Sequence, residues 1–368
     1  MLSPYSPSLL PINNLDWKLL APYLALAERS LATYNGLLLA IPNPNVLLSP
    51  LTSNEARVSS EIEGTQATLT DVLEYDADEN TDLSQRKKDD IKEVLNYRMA
   101  LIIGENSVSK GHKISASLIR SLHGILMRDV RGKDKNPGEF RTTQNYIGIP
   151  GRPVEEMTFI PPVPESVNPC MTDLMDYINS IEDTPLVQLA VLHAQFEMIH
   201  PFNDGNGRLG RMLIPLFLYQ KGILIKPVFY LSEYLNKHRD EYEQAFKYIE
   251  NKNDWNSWVL FFLNAVKEQS HKNYEKAKKI LELYEQNKSI FQEITKSRFS
   301  VSALDALFKR PIFTSTQFIH ECGIPNRATS RNILERLIKA NILKERRKSS
   351  GRRAAMYQFQ ELIDIVDA

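Results

Sequence analysis

The sequence predicts an all-α protein broken once by a short β-hairpin and closed by a small module of helices and strands. Three observations carry this. Apolar residues recur at helical spacing along most of the 368-residue chain, as in Leu15, Leu19, Leu20, Tyr23, Leu24 and Ala27, in Leu189, Leu192, Phe196 and Ile199, and in Trp258, Phe261, Phe262 and Ala265. A proline-rich stretch from Gly132 to Pro164 interrupts the pattern, and the composition changes again beyond the Lys/Glu-rich segment Asn273 to Lys288.

Each element has a local reason. Ser49 before Pro50 reads as an N-cap and first turn, and Gly64 ends that helix about four turns later. Asp71 to Asp82 is acidic, and the RKKDD that follows looks like a solvated helix start. Between Gly132 and Pro164 there are six prolines and two runs of β-formers, Thr143 to Ile149 and Met157 to Ile160, which read either as an exposed hairpin or as a long surface loop. Val301 to Phe308, Thr316 to Cys322 and Ala328 to Ala340 read as three helices, followed by short strands at Ile342 to Lys348 and Arg353 to Phe359. That order is the one found in a winged helix-turn-helix.

Composition bounds the function. Forty-five Lys and Arg balance 45 Asp and Glu, so the net charge is zero and a wholesale polyanion binder is disfavoured. Two cysteines, Cys170 and Cys322, cannot build a disulfide framework, and a reducing compartment is expected. Prolines 4, 7 and 11 break any signal-peptide core, and no apolar run approaches the roughly 20 residues needed to span a bilayer. A soluble, cytoplasmic protein without a membrane partner is the expectation.

The chemistry is concentrated in His200 to Arg211, HPFNDGNGRLGR. Its glycines fit neither common phosphate motif. A dinucleotide fold wants a preceding strand, where Pro185 to Ile199 is helical, and a P-loop wants Lys and Ser/Thr where Arg211 and Met212 stand. What remains still suits phosphate. Gly205, Gly207 and Gly210 let backbone N–H groups converge on an anion, and a helix resuming at about Leu209 adds its positive end. Arg208 and Arg211 can each take a different phosphate, Asp204 suits Mg²⁺, and His200 can accept a proton. A second reading makes His193, Glu197 and His200 a metal site on one helix face, though without the spacing of known helix sites.

HPFNDGNGRLGR resembles the Fic-domain pattern H-x-F-x-[D/E]-G-N-G-R-x-x-R at every fixed position: His200, Phe202, Asp204, Gly205, Asn206, Gly207, Arg208 and Arg211. The resemblance implies a helical enzyme core that moves AMP from ATP to a hydroxyl side chain of a target protein, itself included. It implies His200 as general base, Asp204 as the Mg²⁺ ligand, Asn206 and the glycine amides on the α-phosphate, and Arg208 and Arg211 on the β- and γ-phosphates. Leu209 and Gly210 complete the nucleotide-binding stretch, and Phe202 would be a core anchor. The segment at about 142–162 looks like the family's flap, which aligns the target by strand addition. Ser59, Glu63 and Gly64 match the pattern [S/T]-x-x-x-E-[G/N] of self-restrained members, so that a Glu63 carboxylate would pair with Arg211 and take the charge a γ-phosphate needs. Tyr234 and Tyr242 are candidates for the adenine pocket.

The expected division is an N-terminal helical region at 1–110 with the inhibitory helix at about 50–64, a catalytic core at 111–270, a helical linker at 271–296 and a winged helix-turn-helix at 297–368. Alternatives are the reverse reaction, removal of AMP, transfer of another nucleotide or phosphate group, and a DNA-binding regulator with a helical sensor domain. The last rests on Lys339, Lys344, Arg346, Arg347, Lys348, Arg352 and Arg353 against Glu345, with Asn326, Arg327, Ser330 and Arg331 opening a recognition helix. The same module could instead serve protein contacts or dimerisation, including a homodimer.

Overall fold

A computed structural model describes residues 3–148, 157–181 and 184–368. The helices begin with α1 (Trp17–Ala40), α2 (Pro44–Leu47), α3 (Ser49–Ile62), α4 (Leu69–Ala77), α5 (Gln85–Ser109), α6 (Ala116–Leu126), α7 (Pro164–Asn179) and α8 (Pro185–Ile199). They continue with α9 (Asn206–Gln220), α10 (Ser232–Lys237), α11 (Arg239–Lys252), α12 (Trp255–Thr295) and α13 (Ser300–Lys309). Strand β1 (Ile312–Thr314), α14 (Ser315–Cys322), α15 (Arg327–Lys339), β2 (Lys344–Arg347), β3 (Met356–Gln358) and α16 (Gln360–Asp367) complete the chain. The fold is mostly helical with one small sheet, as expected. Among the described residues no helix is long and apolar enough to cross a membrane. The chain gathers into two compact units, residues 1–35 with 96–271, and residues 36–95 with 272–368.

The first unit is built around α8. Nearly all of its residues from Leu186 to Ile199 are buried, including Gln188, His193 and Gln195, as befits a helix apolar on all sides. Helices α7 and α9 pack against it, α9 through Leu209, Met212, Leu213 and Phe217. Trp258 of α12 is buried, and its indole N–H donates to Ala190 O at 2.8 Å. Each such aliphatic or aromatic side chain contributes about 1.5–3 kcal/mol by leaving water. In the expected flap, Ile147 pairs antiparallel with Phe159 through N–H···O bonds of 2.9 and 3.1 Å, which favours the hairpin over the loop. Residues 149–156 lie outside the described residues. The outer edge of the 157–160 segment is taken by the N-terminal segment: Tyr5 N–H donates to Ile160 O at 2.8 Å, and its ring lies 5.6 Å from that of Phe159.

The second unit joins α3 and α4 to the C-terminal helices and sheet. Helix α3 packs on α4, α13 and α16, and Asn54 donates to Val366 O at 3.2 Å from a buried position. Ser49 is the first helical residue of α3 rather than its cap, because α2 runs up to Leu48 and that residue serves both helices. Helix α12 buries Ala277, Ile280, Leu283 and Phe291, and Tyr284 donates to Asp305 at 2.6 Å. The sheet has order β1-β3-β2, all antiparallel. Sequence periodicity missed β1 and α16, since a three-residue strand offers too short a window and α16 follows a strand without a capping signal.

The acidic stretch supplies counter-charges to the basic hairpin and to Arg310. Asp78 accepts from Arg347 at 2.5 Å and Arg353 at 2.8 Å, Glu74 from Arg346 at 2.7 Å, and Asp76 from Arg310 at 2.8 Å. Partial burial alone would raise the Asp78 carboxyl, but the hydrogen bonds from Arg353, Asn80 and Arg347 outweigh it and hold the group down at about 2. Its stabilisation is therefore complete above the ordinary carboxylate range and is lost only as pH falls towards 2. Asp78→Ala should lower stability by about 1–3 kcal/mol, the range for hydrogen bonds to charged groups. Urea unfolding followed by limited proteolysis of the second unit measures this, with exposed Glu79→Ala as the unaffected control.

Candidate active site

The motif forms the turn between α8 and α9. Helix α8 ends at His200, whose φ of 50° and ψ of 61° are left-handed, a conformation costly for a side chain larger than glycine. The His200 Nδ1 lies 3.2 Å from Glu197 O. A carbonyl only accepts, so Nδ1 carries the proton and Nε2 carries the lone pair. The tautomer suits a base acting through Nε2.

The chain then closes on itself. Asn206 Oδ1 accepts from Phe202 N–H at 2.9 Å, and its Nδ2 donates to Phe202 O at 2.8 Å, all in a buried position. Both polar atoms of the Asn206 amide are thus engaged in shaping the loop. Gly205 at φ 77° caps α9, which starts at Asn206, three residues before the expected Leu209. Leu209 N–H is the first to bond back, to Gly205 O at 3.1 Å. The N–H groups of Asn206, Gly207 and Arg208 belong to the first turn, where helix geometry supplies no i−4 carbonyl within the helix, at the positive end of a 15-residue helix. Gly210 lies where α9 meets α8: a Cβ there would meet the Glu197 carboxylate and lie 3.2 Å from Phe196.

The charged side chains sit around this opening. Arg208 and Arg211 are buried, and Arg208 reaches Met127 Sδ at 3.5 Å and Asp204 at 3.9 Å. Asp204 is about a third exposed, accepts from Gly205 N–H at 2.7 Å and has Lys135 Nζ at 3.3 Å. Its backbone is held from below by His123 of α6. Gly138 N–H donates to His123 Nδ1 at 2.8 Å, so Nε2 bears the proton and donates to Asp204 O at 2.9 Å. The ring stacks on Phe202 at 3.8 Å, and burial pushes its pKa down to about 4. His123, Lys135, Met127 and Asn145, which donates to Phe202 O at 2.9 Å, were not expected at the site, because isolated polar residues far apart in sequence carry no motif.

Other candidates take structural places. His193 puts Nδ1 3.4 Å from Gly210 O and Nε2 2.8 Å from the Tyr242 hydroxyl, so both ring nitrogens have protein partners. The metal reading of His193, Glu197 and His200 fails on that ground, and among the described residues no group of three His, Cys, Asp or Glu is placed to hold a metal. Tyr242 also packs against Phe246 and Trp258, whereas Tyr234 stacks on His238 at 4.2 Å. Ser59 and Glu63 belong to the second unit, where Ser59 is buried, Glu63 is the last residue of the α3 cap and Gly64 follows at φ 96°.

Residues 22–106 match the Fic/DOC family N-terminal model and residues 113–218 the Fic/DOC family model, together more than half of the chain. Protein adenylyltransferase fic-1 of Caenorhabditis briggsae is 33% identical over 129 residues, 33% of this chain and 23% of that protein. The Caenorhabditis elegans protein of the same name is 34% identical over 133 residues, 34% and 24% of the two. The matched part thus spans about a quarter of these relatives' length. Among solved structures, a Fic family protein from Desulfovibrio desulfuricans G20 superposes with a TM-score of 0.60 at 18% identity, over 97% of this chain and 98% of that one. A Fic-1 fragment from C. elegans does so with 0.55 at 19%, over 72% and 75%. At these identities the likeness is one of fold.

Burial and the nearby Arg211 depress the His193 pKa to about 3. The unfolded chain takes up a proton near 6.5 while the folded protein does not, so stability is intact above 6.5 and declines as pH falls from there to about 3. Chemical denaturation from pH 7 to 4 should show up to about 1.4 kcal/mol per pH unit less slope in His193→Gln than in the unsubstituted protein.

Proposed function

Because this chain belongs to the Fic/DOC family, we propose that it is a protein adenylyltransferase that moves AMP from ATP to a Tyr, Thr or Ser hydroxyl of a target protein or of itself. The observation that carries the reading is the turn from α8 to α9, which sets a histidine with its lone pair on Nε2 beside an open helix N-terminus flanked by two buried arginines. In the proposed reaction the acceptor hydroxyl passes its proton to His200 Nε2 as its oxygen bonds to the α-phosphorus. The bond from that phosphorus to the bridging oxygen breaks, and pyrophosphate leaves. The N–H groups of Asn206, Gly207 and Arg208 would bind the phosphate chain, with Gly205 and Gly210 shaping the turn and Leu209 anchoring the helix. Arg208 and Arg211 would offset the charge on the β- and γ-phosphates.

Asp204 fits a Mg²⁺ ligand, being an accessible carboxylate beside the proposed phosphate site, and one carboxylate with substrate oxygens is a usual set for this ion. When bound, the ion would supply Lewis-acid stabilisation of the negative charge that builds up on the phosphates, with Asp204 as the residue that would hold it. The segment at 142–162 would align the acceptor by strand addition.

In this reading the catalytic core would be 111–270, with the N-terminal region at 1–110 and a helical linker at 271–296. Residues 297–368 would form a winged helix-turn-helix serving protein contact, a reading supported by the pairing of Arg346, Arg347 and Arg353 with acids of the α4 segment, which draws them away from a polyanion role. Glu63, with Ser59 and Gly64, would restrain the enzyme by competing for the charge that the γ-phosphate needs.

The test is incubation with α-labelled ATP and a cell lysate. Glu63→Gly should raise incorporation, and adding His200→Ala should lower it about 100-fold or more, the scale of a general base. Incorporation unmoved by both substitutions sinks the proposal. The mass added to a modified peptide separates AMP from another group, and loss of AMP from premodified protein would indicate the reverse reaction.

A further inference from the structure

Arg141 has no place in the motif, yet it ties the motif to the flap. It is 2% exposed, and its backbone N–H donates to Pro201 O at 2.9 Å. Its guanidinium donates to four carbonyls: Nε to His200 O at 2.8 Å, Nη2 to Ile199 O at 3.3 Å and to Pro162 O at 2.5 Å, and Nη1 to Thr143 O at 3.1 Å. Two of these acceptors lie in the turn that carries the histidine, and two lie at the opposite feet of the flap. Burial lowers the Arg141 pKa, so the charge is held at a cost. A buried cation is a poor device for stability alone, because an apolar side chain of like size often does as well. A rigid planar fork that fixes three strands of backbone is something only arginine supplies.

We infer that Arg141 is a positioning residue that sets the His200 turn and the flap in one register, so that an acceptor added to the flap arrives opposite Nε2. Carbonyl acceptance at His200 holds the peptide whose left-handed φ would otherwise relax. Asn145, bonded from the flap to Phe202 O, is a second and weaker tie across the same gap. The inference rests on the proposed activity for its consequence in transfer, but the mechanical link stands on the contacts alone.

The test uses the full chain with Glu63→Gly, comparing Arg141→Lys and Asn145→Ala. Lysine keeps the charge but cannot span four carbonyls. Arg141→Lys should lower AMP incorporation at least tenfold while ATP affinity, measured by calorimetry, stays within twofold. Peptide-resolved hydrogen exchange should rise about tenfold together at Ile147 and Phe159 and across residues 200–206, with α8 unchanged. Asn145→Ala should shift the same two segments by less, and it serves if Arg141→Lys fails to fold. Exchange altered in only one segment, or ATP affinity and transfer lost in equal measure, overturns the inference. Absence of incorporation already in the Glu63→Gly parent would overturn the proposed activity instead, and the exchange data would still decide the link.

Discussion

Helix α8 has to stop at residue 200, and α9 has to begin at residue 206, with five residues of turn between them. The rest of the first unit follows from that constraint. A left-handed non-glycine residue costs about 1–2 kcal/mol, and the turn offsets it with bonds on every side. Asn206 closes the loop on Phe202, His123 holds Asp204, and Arg141 holds the carbonyls of Ile199 and His200. At residue 210, where the two helices meet, a Cβ would oblige the Glu197 side chain to shift. The chemistry of the turn is thus set by packing, and its residues divide into those that face a ligand and those that fix the backbone.

That division separates what the sequence discloses from what it hides. The helices were legible because apolar spacing persists over many turns, and α8, α13, α14 and α15 lie within a residue or two of where periodicity puts them. The twelve-residue motif was legible because its members are contiguous. Arg141 and His123 were invisible because their partners are backbone carbonyls and amides, which every residue possesses, so nothing in side-chain identity betrays the contact. Asn206 and Gly210 were visible as motif members, but their loop-closing and packing contacts were not, since a motif names residues and leaves open which atom of each touches what.

The second unit carries a similar lesson in charge. A run of acids and a run of bases, each plausible as a solvated face, neutralise one another across more than 260 positions of sequence, as in Asp78 with Arg347 and Arg353. Charge counted along a chain says little about charge presented to a partner, because exposure after folding decides which groups remain. Here Lys344, Lys348 and Arg352 stay exposed, while Arg346, Arg347 and Arg353 are paired with Glu74 and Asp78.

A practical consequence concerns dissection of the chain. Helix α3 shares one compact unit with α13 and α16, so a cut after the long helix would not deliver a catalytic piece and an intact C-terminal module. The severed module would lose Glu74, Asp76 and Asp78 and acquire a surplus of unmatched guanidinium groups. Retention of such a fragment on heparin or nucleic acid would then report the surgery, and only the undivided chain carries the charge pattern that biology meets.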